Sequence, residues 1–186
     1  MRPEDLWIPE SHQDKTLDNF DWTDYPNVQK AVESILVERT PGMFLFGDPG
    51  LGKTHILVGI FRKFVDQGLL IGNQVTYTSW SALMNELHSY QIKGKVTEVA
   101  VDAVCKTDIL ILDDVRPGWG RVWGDVLKRV IENMYDNHKT WIVSTNVSSV
   151  KDLIDKWQLE DYWLSRMRDI VKFVHMKGKD RRGLKP

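Results

Sequence analysis

Eight residues, Gly47-Asp48-Pro49-Gly50-Leu51-Gly52-Lys53-Thr54, narrow the fold more than any other stretch. Met43-Phe44-Leu45-Phe46 runs into them, apolar throughout, as a buried parallel strand does. From His55 to Gln67 the apolar residues Ile56, Leu57, Ile60, Phe61, Phe64 and Val65 recur at helical spacing, and Gly68 marks the stop. Strand, glycine turn and helix together satisfy GxxxxGK[ST] in the context that motif needs. The glycines let the backbone curl until successive N–H groups point inward and cradle phosphate oxygens. The helix start adds its dipole and unpaired N–H groups. Lys53 would reach the β- and γ-phosphates, and the Thr54 hydroxyl would hold Mg²⁺. With His55 at its end, this stretch is read as a nucleoside triphosphate site.

The chain has 186 residues, enough for one domain with a real core. Hydrophobic content of 42% and charged content of 27% fit a soluble globular protein, and no apolar run approaches a membrane span. The start Met-Arg-Pro-Glu-Asp lacks a signal-peptide layout, and the single cysteine, Cys105, has no internal partner. Both point to the cytoplasm, with Cys105 as an inert core thiol. Net charge is −1 but unevenly placed. Residues 1–24 hold seven acids and two bases; residues 172–186 hold six bases and one acid. Either the termini are interaction tails or they are simply solvated.

Polar, proline-bearing residues 1–24 read as an N-terminal arm, residues 25–176 as the nucleotide-binding core, and residues 177–186 as a basic tail. An amphipathic helix over Asn27–Glu38 precedes the first strand. A second strand spans Gln74–Thr78. A helix capped by Ser79 or Ser81 reaches Gln91, and a short one runs from Thr97 to Val104. Asp108–Asp113 is a third strand, apolar enough to be central. A helix follows over Val122–Asn137 and a fourth strand over Thr140–Ser144. Ser148 or Ser149 caps a helix to Trp157, Asp161–Arg168 is helical, and Ile170–His175 is the fifth strand. Alternation of strands and helices implies a parallel sheet covered on both faces. Trp80, Trp123, Trp141 and Trp157 fall within these elements.

Asp113-Asp114 ends the third strand in the Walker B layout, carboxylates at the carboxyl edge of a parallel sheet. Asp113 would hold Mg²⁺, directly or through water, and Asp114 would orient the attacking water. The fourth strand ends Ser144-Thr145-Asn146. Asn146 is either a contact to the γ-phosphate or lytic water, or a strand-ending turn residue.

The segments GDPGLGKTH, DILILDDV, WIVSTN and LSRM, in this order, resemble an AAA+ ATPase. The similarity is to the branch of bacterial DnaC-type helicase loaders, with IstB-type transposition ATPases beside it, and it covers residues 17–183. The His after Gly-Lys-Thr, the double Asp and the closing Lys-Gly-Lys-Asp-Arg-Arg look loader-like. So do the two helices between the second and third strands. The resemblance implies an α/β P-loop fold with sheet order 5-1-4-3-2, and ATP with Mg²⁺. It further implies self-assembly and partnership with single-stranded DNA and a replicative DNA helicase. Arg166 resembles the family arginine that leaves its own subunit and meets the neighbour's ATP; a surface or capping arginine is the alternative, and Arg168 the nearest rival. Only a short arm stands where loaders carry a helicase-gripping module, and no helical lid is expected after the fifth strand. Arg181 and Arg182 therefore have no assigned role. Candidate DNA contacts are Lys93, Lys95, Arg116, Arg121 and the basic tail, with Trp119 able to stack a base; the alternatives are solvated lysines and a Trp119 packed under its loop.

Loading a helicase in DNA replication is the leading expectation, and helping transposition is the second. From other classes come a small-molecule P-loop kinase and a nonhydrolysing nucleotide-switched adaptor. A kinase would want an arginine-bearing lid and an acceptor pocket.

Overall fold

The computed structural model describes residues 8–69, 74–92, 101, 105–116, 120–157 and 160–181. The strands are β1 (Gly42–Phe46), β2 (Val75–Ser79), β3 (Ile109–Val115), β4 (Thr140–Thr145) and β5 (Val171–His175). The helices are α1 (Pro26–Glu38), α2 (Lys53–Asp66), α3 (Trp80–Ile92), α4 (Gly120–Asp136), α5 (Val150–Trp157) and α6 (Asp161–Ile170). The strands form one sheet in the order β2-β3-β4-β1-β5, every pair parallel. This is the expected 5-1-4-3-2 order read from the other edge. The third strand is interior, although β4 holds the middle place.

Strand pleating sorts the core into two layers. Met43 and Leu45 of β1, Ile109 and Ile111 of β3 and Ile142 of β4 face α1 and α2. Their neighbours Phe44, Phe46, Leu110, Leu112, Trp141 and Val143 face α3 to α6. Both faces are thus covered, which is why these strands carry almost no polar residue before their carboxyl ends.

Several boundaries differ from the sequence reading. Helix α2 begins at Lys53, because Gly52 caps it in the left-handed region and accepts the Ile56 N–H at 3.1 Å. It ends as expected at Gly68 (φ 84°), where Gly68 N–H bonds Val65 and Leu69 N–H bonds Phe64 in a Schellman pattern. Ser79 caps α3 and Ser149 caps α5. Ile170 closes α6 instead of opening β5. Strand β3 does not stop at Asp113 but runs to Val115. It does so through a bulge: Leu112 pairs with Val143 and Val115 with Thr145, leaving one extra residue on β3. Of the expected helix over 97–104, only Val101 lies within the described residues; it is helical and buried, as is Cys105.

The stretch expected as an arm is, over its described residues, part of the core. Ile8, Leu17 and Phe20 are buried in the α1/α2 layer. Leu17 presses on Gly59 of α2, where a Cβ would stand 2.6 Å from its side chain. Buried Arg62 of α2 donates to the Lys15 carbonyl at 3.1 Å and to the Gln13 carbonyl. Apolar residues are sparse here, and their burial depends on partners far along the chain, so local composition misses it. None of the described helices is long and apolar enough to cross a membrane.

Candidate functional site

The carboxyl ends of β1, β3 and β4 open on one cleft, lined at the loop by Pro49, Gly50, Gly52, Lys53, Thr54 and His55. Gly50 (φ 83°) and Gly52 (φ 95°) take left-handed conformations that only glycine enters freely. Each is also covered closely. A Cβ on Gly50 would stand 2.0 Å from the Asp180 carboxylate, and one on Gly52 would stand 2.7 Å from the Phe20 ring. Lys53 is buried, and its Nζ donates to the carbonyls of Gly47 and Asp48, each at 2.7 Å. Asp48 also accepts from Ser148 Oγ at 3.1 Å, fastening the loop to the segment after β4. Leu51 turns into the core at 1% exposure, so only its backbone is available to a ligand.

Asp113 is 4% exposed at the floor of the site. Tyr77 Oη donates to it at 3.1 Å, and the Ser144 and Thr54 hydroxyls bond it too. Burial pushes its pKa up, while the bonds from Ser144, Thr54 and Tyr77 pull the other way. Burial and the Asp113 carboxylate push the Tyr77 phenol up, so it remains a neutral donor. Tyr77 and Ser144 were not singled out as site residues in the sequence. In the sequence, Tyr77 is one step in the alternation Val75-Thr76-Tyr77-Thr78, and Ser144 is a polar residue near the end of β4. A hard divalent cation prefers oxygen donors, and a buried carboxylate beside a threonine hydroxyl fits Mg²⁺. Among the described residues, no cluster of three or more His, Cys, Asp or Glu suggests another metal.

Asp114 lies in the bulge, with φ 56°. Its N–H bonds Ser144 Oγ at 2.9 Å, and its Oδ1 accepts Asn146 Nδ2 at 2.6 Å. Its Oδ2 is paired with Arg116. Asp114, Arg116 and Asn146 all line the cleft. Asn146 thus stands in the cleft bonded to the second aspartate. Arg116, a candidate DNA contact in the sequence, stands in the nucleotide cleft. Lys93, Lys95 and Trp119 lie outside the described residues; Arg121 is placed only by its backbone in α4.

The other side of the cleft comes from both ends of the described chain. His55 Nε2 lies 2.8 Å from both the Thr16 carbonyl and Asn19 Oδ1, and burial holds its pKa below the usual value. Phe20 packs edge-on to His55 and tilted against Trp22. Arg181 N–H bonds the Gly50 carbonyl, and its guanidinium donates to the Asp21 carbonyl at 3.0 Å. That guanidinium also stands 5.2 Å from the Phe20 ring and 4.7 Å from the Tyr25 ring. The described part of the basic tail therefore lies along the phosphate loop.

Arg166 does not line this cleft. It sits on α6, its guanidinium 3.6 Å from the Tyr162 ring and 4.9 Å from the Tyr135 ring. Its Nε is buried without a hydrogen-bond partner among the described residues.

A parallel sheet in this order, with a glycine loop after β1 and paired acids late on β3, defines an AAA+ P-loop protein. The chain belongs to the IstB-like ATP-binding protein family, whose model matches residues 6–183. It is 30% identical over 106 residues to the insertion sequence IS21 putative ATP-binding protein of Pseudomonas aeruginosa, covering 54% of this chain and 38% of that one. It is 29% identical over 147 residues to the chromosomal replication initiator protein DnaA of Aliarcobacter butzleri, covering 74% and 32%. The chain thus spans about a third of the length of these curated relatives. Its fold matches the crystal structure of the DnaC helicase loader with a TM-score of 0.76 at 19% identity, covering 91% of this chain and all of that one.

Proposed function

We propose that this protein hydrolyses ATP and works as an assembling ATPase on DNA, loading a replicative helicase. The observation that carries the ATPase reading is the meeting of Lys53, Thr54, Asp114 and Asn146 along one cleft, with Asp113 beneath them bonded to Thr54. The loop from Gly47 to His55 wraps the phosphates, and Lys53 neutralises them. Thr54 and Asp113 would hold Mg²⁺, which when bound would offset charge on the phosphate oxygens. Asp114 accepts the proton of the attacking water, and Asn146 fixes that carboxylate and the water beside it. Arg166 serves a neighbouring subunit, which agrees with its position off its own cleft. Single-stranded DNA is the proposed track, with Lys93, Lys95, Trp119 and Arg121 as its proposed contacts.

The IstB-like family and the IS21 relative favour a second reading, helper ATPase in transposition. One experiment addresses both. Wild type and Lys53→Ala are assayed for ATP turnover with and without single-stranded DNA, then used to capture purified replicative helicase or transposase. ATP-dependent capture of helicase, lost in Lys53→Ala, supports loading; capture of transposase alone supports the second reading. Turnover unchanged by Lys53→Ala removes the ATPase reading.

A further inference from the structure

Asp114 has both carboxylate oxygens engaged, Oδ1 by Asn146 and Oδ2 by Arg116. Its backbone is fixed as well, by the bulge and by the bond to Ser144. Each oxygen thus already receives an N–H, which takes up roughly half of the carboxylate's acceptor capacity before any water arrives. The two partners differ. Asn146 is fixed at the end of β4, whereas Arg116 is 64% exposed on the first residue after β3. Its pair with Asp114 is solvent-screened and easily exchanged. Arg116 also lines the same cleft as Lys53 and Thr54. A terminal phosphate there carries more charge than one carboxylate and offers the planar guanidinium a two-pronged contact.

We propose that Arg116 makes this site distinguish nucleoside triphosphate from diphosphate, by holding Asp114 until a terminal phosphate takes its guanidinium. The inference rests on the ATPase reading above. A diphosphate lacks the competing group and leaves the pair closed. A triphosphate draws Arg116 away, frees Asp114 Oδ2 beside the phosphoryl group, and receives a cation in the same step. Loss of the phosphate restores the pair. A ligand shifts such an equilibrium only through its different affinity for the two states, and the terminal phosphate supplies that difference.

The test is a binding cycle by calorimetry on the full chain with Mg²⁺, using ADP and a nonhydrolysable ATP analogue. Arg116→Ala should weaken the analogue about tenfold, the scale of a charge-assisted hydrogen bond, and leave ADP within about twofold. Arg116→Lys should fall between, since a point charge keeps attraction but not the fork. Asp114→Asn should tighten the analogue several-fold in wild type, and that gain should vanish in the Arg116→Ala background. Equal weakening of analogue and ADP by Arg116→Ala overturns the proposal. So does an Asp114→Asn gain that is the same with and without Arg116, for that is plain electrostatic relief. Lys53→Ala separates the two layers of argument. If it loses the analogue while the cycle is additive, only the role of Arg116 fails. If it binds the analogue like wild type, the nucleotide reading fails and takes this proposal with it.

Discussion

The two sides of the cleft are built by different means. On the phosphate side, Asp113, Asp114, Ser144 and Asn146 sit at the ends of paired strands, and their bonds run between neighbours in one sheet. On the opposite side, irregular chain is held by side-chain contacts to the helices and to the tail: Phe20 over Gly52, His55 against Thr16 and Asn19, Arg181 against Asp21. A strand end is fixed by the whole sheet, so it suits groups that must be placed to a fraction of an ångström. A strap of coil is held locally and opens at lower cost, so it suits closure and release. Under the proposed function, chemistry would fall to the first side and retention of the nucleotide to the second.

The largest expected effect asks whether either side is complete within one subunit. Arg166→Ala should lower turnover by ~10³–10⁵ while leaving ATP affinity of the single subunit nearly unchanged. Mixed with Lys53→Ala, which keeps the arginine but lacks a working site, it should regain partial activity. A mixture that stays inactive while mixed assemblies form would mean the site is self-sufficient. Next, Asp114→Asn should retain ATP and hydrolyse it ~10²–10⁴ more slowly, as loss of a general base does. A collapse of nucleotide affinity instead would exchange the roles of Asp113 and Asp114.

The strap side should respond in stability. Leu17→Ala should lower the unfolding free energy by ~2–4 kcal/mol, the usual result of truncating a buried leucine, measured by urea titration. A free arm would give no change, and the contrast between the two sides would then be false. The smallest effect belongs to Arg181→Ala. It removes stacking over Phe20 and Tyr25 worth ~0.5–1 kcal/mol at a partly exposed site, so the melting temperature should drop by about 1–4 °C. Nucleotide should also dissociate faster, with little change in turnover at saturation. A large loss of turnover with unchanged dissociation would move Arg181 to the catalytic side.

The same contrast explains which parts were legible in the sequence. The phosphate side is local: a glycine loop between strand and helix, and acids after four apolar residues, are each patterns of neighbouring residues. Sheet order came from the family resemblance and not from periodicity. The bulge that carries Asp114 was hidden because its cause is register against β4, which no single strand displays. Tyr77 was hidden because its target, Asp113, is 36 residues away on the next strand. The strap was read as an arm for the same reason. Its buried residues are few, and what buries them, Gly59, Arg62 and the aromatic set around Arg181, is scattered across the chain.

The bond from Arg181 to the Asp21 carbonyl joins residues 160 positions apart. Contacts of such separation carry the greatest loop-closure cost and form late, after the local helices and the strand pairs that bring their ends together. The phosphate loop can therefore take shape, with β1 and α2 docked, before the chain that covers it arrives. Refolding followed by nucleotide capture should show two phases, a fast one that binds weakly and a slower one that holds. In the folded protein the order reverses, and hydrogen exchange at residues 14–24 and 177–181 should precede exchange in the sheet.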